Sequence, residues 1–191
     1  MRLVPLLLFG LIIFCVISKA DIWSDLAEYK LGETTKPNII STINEIIVTA
    51  DPIKMASIED ELLFVIESNS STLEAKKQSL IFLDRIGTDR SLPVVSKLLG
   101  HENLALLSRR ILESRRESKA AYEALITELP KVEDSLKIGI IATLAEHAKT
   151  SAVPAIVPYI SSDNIILAQA AYDAIGRIGG KYAHSAVVEG K

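Results

Sequence analysis

The feature that most constrains this chain is that it resembles itself. The stretches "SLPVVSKLL" (91–99) and "SAVPAIVPYI" (151–160) hold a proline in matching surroundings, and a slide of 61 residues carries Leu92 onto Val153, Val95 onto Ile156 and Leu99 onto Ile160. The same slide sets Leu104 on Ile165, Leu107 on Ala168 and Ile111 on Tyr172. Apolar positions and turn residues agree while identities do not, as expected where packing volume holds each position. Another helical pair, 117–129 and 133–148, lies between the matched segments, so the unit is about half the slide and two helices long.

Spacing within the units is that of helices. Ile39, Ile43, Ile46 and Ile47 make one stripe, Ile58, Leu62, Val65 and Ile66 the next, and Leu73, Leu80, Leu83 and Ile86 continue it. Tyr122, Leu125 and Leu129, then Leu136, Ile140, Leu144 and Ala148, then Ala168, Ala171, Ile175 and Ile178 follow the same i, i+3, i+4, i+7 rule. No useful length alternates with period two, so an all-α fold is expected. Pro130 should end the helix before it, and Pro158 should end or kink a short one. Ser91, Ser151 and Asp163 or Asn164 are placed as N-caps. Ile165, Ile166 and Leu167 form an apolar run that cannot all face one neighbour, which predicts an exposed apolar edge.

The chain opens with Met1-Arg2, an uncharged apolar run from Leu3 to Ile17, and "SKA" before Asp21. That is the pattern of a signal peptide over 1–20, and the run is short for a spanning helix. The expected location is therefore outside the cytoplasm, periplasmic or secreted, with membrane attachment only if the segment stays uncleaved. Cys15 is the single cysteine and would leave with it, so disulfides, zinc–thiolate sites and thiol catalysis are not expected in the remainder. A formal charge of -3 with mixed signs argues against nucleic acid as a partner.

Side chains able to do chemistry are scattered. His101, His147 and His184 have no second ligand at metal spacing, so turn or surface positions and no metal are expected. Arg109, Arg110, Arg115, Arg116 and Lys119 could grip an anion, but Glu113 stands at i+4 from Arg109 and i−3 from Arg116, which favours an ion-paired face. The adjacent carboxylates of "ASIEDELL" and "PKVEDSL" read as helix starts that complement the dipole. Gly179-Gly180 reads as a helix C-cap, and Trp23 as a plug on the open end of the first helical pair. No catalytic, cofactor-binding or metal-binding residue is assigned, and the chain is read as a non-enzyme.

"SSDNIILAQAAYDAIGRIGG" resembles the second helix of a HEAT repeat, and the wider "SRRILES" to "SLKIGIIATLAEHAKTSAVPAIVPYISSD" is similar to exported bacterial HEAT-repeat proteins. The resemblance implies a right-handed α-solenoid of stacked antiparallel helix pairs, with capping helices over 21–50, a repeat domain over 51–191, and a protein partner bound by an extended face. The usual arginine after the acidic turn is absent, Leu167 and Ala168 standing there, so the family's ladder of Asp–Arg contacts is not expected in its usual form. The chain ends in "KYAHSAVVEGK", which suggests the alternative of an N-terminal repeat module of a larger exported enzyme or redox protein.

Overall fold

The computed structural model describes residues 19–32 and 38–179. Every regular element among them is helical, ten α-helices joined by short turns, with no strand. They are α1 (Lys19–Ala27), α2 (Ile39–Thr49), α3 (Pro52–Glu67), α4 (Leu73–Ile86), α5 (Leu92–Lys97), α6 (Ala105–Ser114), α7 (Lys119–Glu128), α8 (Asp134–His147), α9 (Val153–Ile156) and α10 (Ile165–Ile178). The stretch expected to cap the N-terminal end holds α2 and all of α1 except Lys19 and Ala20, which belong to the expected signal segment. Most of the expected signal segment, and everything after Gly179, lies outside the described residues.

Proline sets the ends as its chemistry requires. α7 gives way at Pro130 to a 3-10 turn, Leu129–Lys131, and α9 stops after 4 residues at the 3-10 turn Val157–Tyr159, where Pro158 stands. Asn164 caps α10 as expected, its side-chain oxygen accepting from the N–H groups of Ile166 (3.1 Å) and Leu167 (3.3 Å). Ser91 and Ser151 do not cap. Ser91 donates to the Thr88 carbonyl, and Ser151 sits at hydrogen-bond distance from the Tyr122 hydroxyl, because each lies inside a 3-10 turn, Asp89–Ser91 and Thr150–Ala152, rather than in an extended cap. The side-chain caps lie instead at Asp51, Thr72 and Ser118, ahead of α3, α4 and α7.

Helices pack as consecutive pairs: α3 on α4, α5 on α6, α7 on α8, α9 on α10. The second members also touch in order, α4 on α6, α6 on α8 and α8 on α10, and α5 meets α7. Burial repeats with this order. Leu62, Leu92, Tyr122 and Val153 are buried at equivalent points of the first helices, followed three residues on by Val65, Val95, Leu125 and Ile156. In the second helices Leu83, Leu112, Leu144 and Ile175 are equivalent and buried, and so are Phe82, Ile111, Thr143 and Ala174. Each full burial of such an apolar chain contributes roughly 1.5–3 kcal/mol. At the N-terminal end α1 packs on α2, α3 and α4 and buries Trp23 as a plug, while Thr72 donates from its N–H to the Ala27 carbonyl and from its hydroxyl to that of Tyr29.

The repeat differs from the uniform 61-residue slide in one respect. That offset holds for the first helices, but the second helices superpose at 63, Leu104 on Leu167 and Ile111 on Ala174. α10 starts about one turn early in this register. Ile165 (81% exposed) and Ile166 (70%) occupy that added turn, whereas Leu167 (1%) enters the core. An exposed apolar edge is thus present where the run of three apolar residues predicted one.

Candidate functional site

An apolar recess with charged walls lies between α6 and α8. The turn "GHEN" brings His101 to accept from the Asn103 N–H through Nδ1 (3.2 Å), and its carbonyl accepts the first N–H groups of α6. Leu99, Ala105, Leu136 and Ile140 then converge on a groove of about 220 Å³, walled by Leu106, which is 69% exposed. The groove opens into a wider depression edged by Glu102 and Glu133.

Its far end is closed by Arg109. The guanidinium donates to Glu113 Oε2 (3.1 Å) and to Thr143 Oγ1 (3.1 Å), so it crosses from α6 onto α8. Gly139 makes the crossing possible, since a Cβ there would stand 3.1 Å from Arg109 Nε and 3.2 Å from its Cδ. A glycine inside a helix costs about 1 kcal/mol relative to alanine, and close approach of a neighbour offsets it here.

Polar links join each unit to the next at separations of about 30 residues. Buried Glu59 accepts from the Thr88 N–H (2.8 Å) and hydroxyl, Ser118 donates to Asp89 (3.0 Å), and Asn164 donates to Asp134 (3.4 Å). Arg110 pairs with Asp84 (3.0 Å), and Arg116 (3.3 Å) and Arg177 both reach Glu146. The Arg177 hydrogen bond, reinforced by its charge and that of Arg116, holds the Glu146 carboxyl below its ordinary range. Asp134 is likewise lowered, chiefly by the hydrogen bond from Lys137. Arg115 donates to the carbonyls of Gly87 (2.6 Å), Leu83 (3.1 Å) and Ile111 (3.1 Å), capping the ends of α4 and α6 together.

Arg109 and Lys119 are ion-paired with Glu113 and Glu123 on their own helices, as spacing suggested for Arg109, whereas Arg110 and Arg116 pair with Asp84 and Glu146 on neighbouring helices and Arg115 binds backbone carbonyls instead. "PKVEDSL" does start α8, but Glu59 and Asp60 lie in the middle of α3, where Glu59 tethers the turn after α4 and Asp60 pairs with Arg90. His101 is an exposed turn residue, as expected. His147 is not on the surface. It ends α8 only 7% exposed, and neither ring nitrogen finds a partner in hydrogen-bond geometry, although the carbonyls of Glu113 and Leu112 lie toward it. Burial pushes its pKa down from 6.5, the nearby charges of Lys149 and Arg116 add to the shift, and those carbonyls oppose it. Gly179 takes φ +70° and ends α10 as a C-cap, while Gly180 and His184 lie outside the described residues.

Glu59, Arg115 and His147 carry the structure in ways the residue types alone did not suggest. One signal was available: each falls on the apolar stripe of its helix, His147 three residues beyond Leu144. Among the described residues no group of three or more His, Asp or Glu is placed to hold a metal ion, and no helix is long and apolar enough to cross a membrane. The chain matches no protein-family model and no curated protein.

Proposed function

We propose that the protein is an exported, non-catalytic α-solenoid of HEAT type that binds another protein along the face formed by α4, α6, α8 and α10. The observation that carries this reading is the recurrence of one register through those helices, with consecutive contact between them. Stacked units of this kind present a long shared face and bind by distributed complementarity. The groove beside exposed Leu106 supplies an apolar anchor on that face. Several charged side chains hold neighbouring helices together, as Glu59 does with Thr88 and Glu146 with Arg177, which supports a structural rather than a catalytic use of them. Export rests on the opening sequence through "SKA".

A photo-crosslinking residue placed at Leu106 in an exporting host tests both parts. The expected product is a protein adduct recovered outside the cytoplasm, in which this chain begins at Asp21 by mass, with no adduct from the same residue at exposed Lys97 on α5. Equal labelling at both positions would overturn the binding face, and a chain retaining Met1 would overturn export by cleavage.

A further inference from the structure

We propose that the groove between α6 and α8 takes an extended segment of a partner protein in which an aliphatic side chain is flanked by lysine or arginine about three residues apart. This rests on the scaffold reading and adds the chemistry of what is bound. The narrow part is apolar, lined by Leu99, Leu136 and Ile140, and its volume of about 220 Å³ exceeds the ~150 Å³ that accepts a benzene-sized group. A leucine, isoleucine or valine side chain fits that space. No set of hydrogen-bond donors converges there to orient a small molecule, because the one cation, Arg109, is already held by Glu113 and Thr143.

The occupant's charge follows from the mouth. Glu102 and Glu133 edge the same wider depression, and Asp163 stands next in line, beside Asn164, whose amide donates to Asp134 of the α8 first turn. All three are exposed and form no ion pair among the described residues. They recur once per helical pair, at 102, 133 and 163, so the row runs along the stack. Packed helices stand roughly 8–10 Å apart, and a chain in the polyproline II conformation advances about 3.1 Å per residue with three residues per turn, so a cation at every third residue keeps step with the row and faces it each time. Carboxylates at helix N-termini also offset the helix dipole, a purely structural use that would leave ligand preference unaffected.

The probe is a fluorescent peptide of roughly nine residues with lysine at every third position, leucine after each lysine and serine elsewhere, and binding to the full chain is read by anisotropy. Controls replace lysine by glutamate, or leucine by serine. The lysine–leucine peptide should bind at least about tenfold tighter than either control and weaken on raising salt from about 0.05 M to 0.5 M. Glu102→Gln with Glu133→Gln should abolish the lysine preference, and Leu106→Ser the leucine preference, with melting temperatures lowered by no more than about 4 °C, the cost of losing the dipole contribution of Glu133. Equal binding of the glutamate control in a Leu106-dependent manner would overturn the inferred charge while leaving the scaffold reading intact. No binding of any peptide at about 1 mM would overturn the inferred occupant, and the crosslinking at Leu106 would then decide the scaffold reading separately.

Discussion

The unit α5–α6 and the unit α9–α10 share one register yet are held differently. α6, which buries Leu112, contacts both α4 and α8; Arg115 reaches back to cap α4 while Arg109 reaches forward to Thr143. α10, which buries the equivalent Ile175, contacts α8 and α9, Ile178 takes the place of Arg115, and among the described residues Arg177 and Asn164 reach back to Glu146 and Asp134. Central units are thus cross-linked on both sides, whereas the last described one leans on a single neighbour. A side chain buried between two helix interfaces leaves a larger void when truncated than one buried against a single neighbour, so the same substitution should differ in cost between the two units.

Truncating the shared leucine position is the most severe way to break this comparison. Leu112→Ala should cost about 3–5 kcal/mol and lower the urea midpoint of the whole chain, because the cavity opens between two interfaces. Ile175→Ala should cost about 2–3 kcal/mol and, by hydrogen exchange, loosen α10 ahead of the rest. Equal, global effects from both would show that the last described unit is as tightly coupled as the middle.

Arg115→Ala removes the fork that joins α4 to α6, leaving the carbonyls of Leu83, Gly87 and Ile111 without that donor. A loss of about 2 kcal/mol in chemical denaturation is expected. Arg115→Lys should recover less than half of it, since an ammonium cannot reproduce the planar fork.

The smallest effect sharpens the same register position in α8, where His147 stands in line with Ile86, Arg115 and Ile178. Its pKa is lowered in the folded state, so the unfolded chain binds more protons below pH 6.5. Stability contributed by neutral His147 is present above pH 6.5 and is lost as pH falls through the lower folded value. Measured between about pH 7 and 5, His147→Leu should flatten that fall and raise stability by roughly 1 kcal/mol at neutral pH, because two unpartnered nitrogens leave the core. An unaltered pH slope in the variant would overturn the assignment of this fall to His147, because the lowered carboxyls of Glu146 and Asp134 change stability only below that window.

Apolar spacing by itself determined the helical class, the two-helix unit and the first-helix offset of 61, because a side chain's position around a helix is set by 3.6 residues per turn whatever it packs on. Proline likewise marked the ends of α7 and α9 through local covalent geometry. Only the tertiary structure decided that Leu167 rather than Ile165 enters the core, which shifts the second helices to an offset of 63, since the two choices differ only in what lies opposite. It also decided where Glu59, Arg115 and His147 point. Hydrogen bonds such as Glu59 to Thr88 and Arg115 to Gly87 span about 30 residues, and the apolar groove at Leu106 exists only once α6 and α8 lie side by side with Gly139 admitting Arg109 between them.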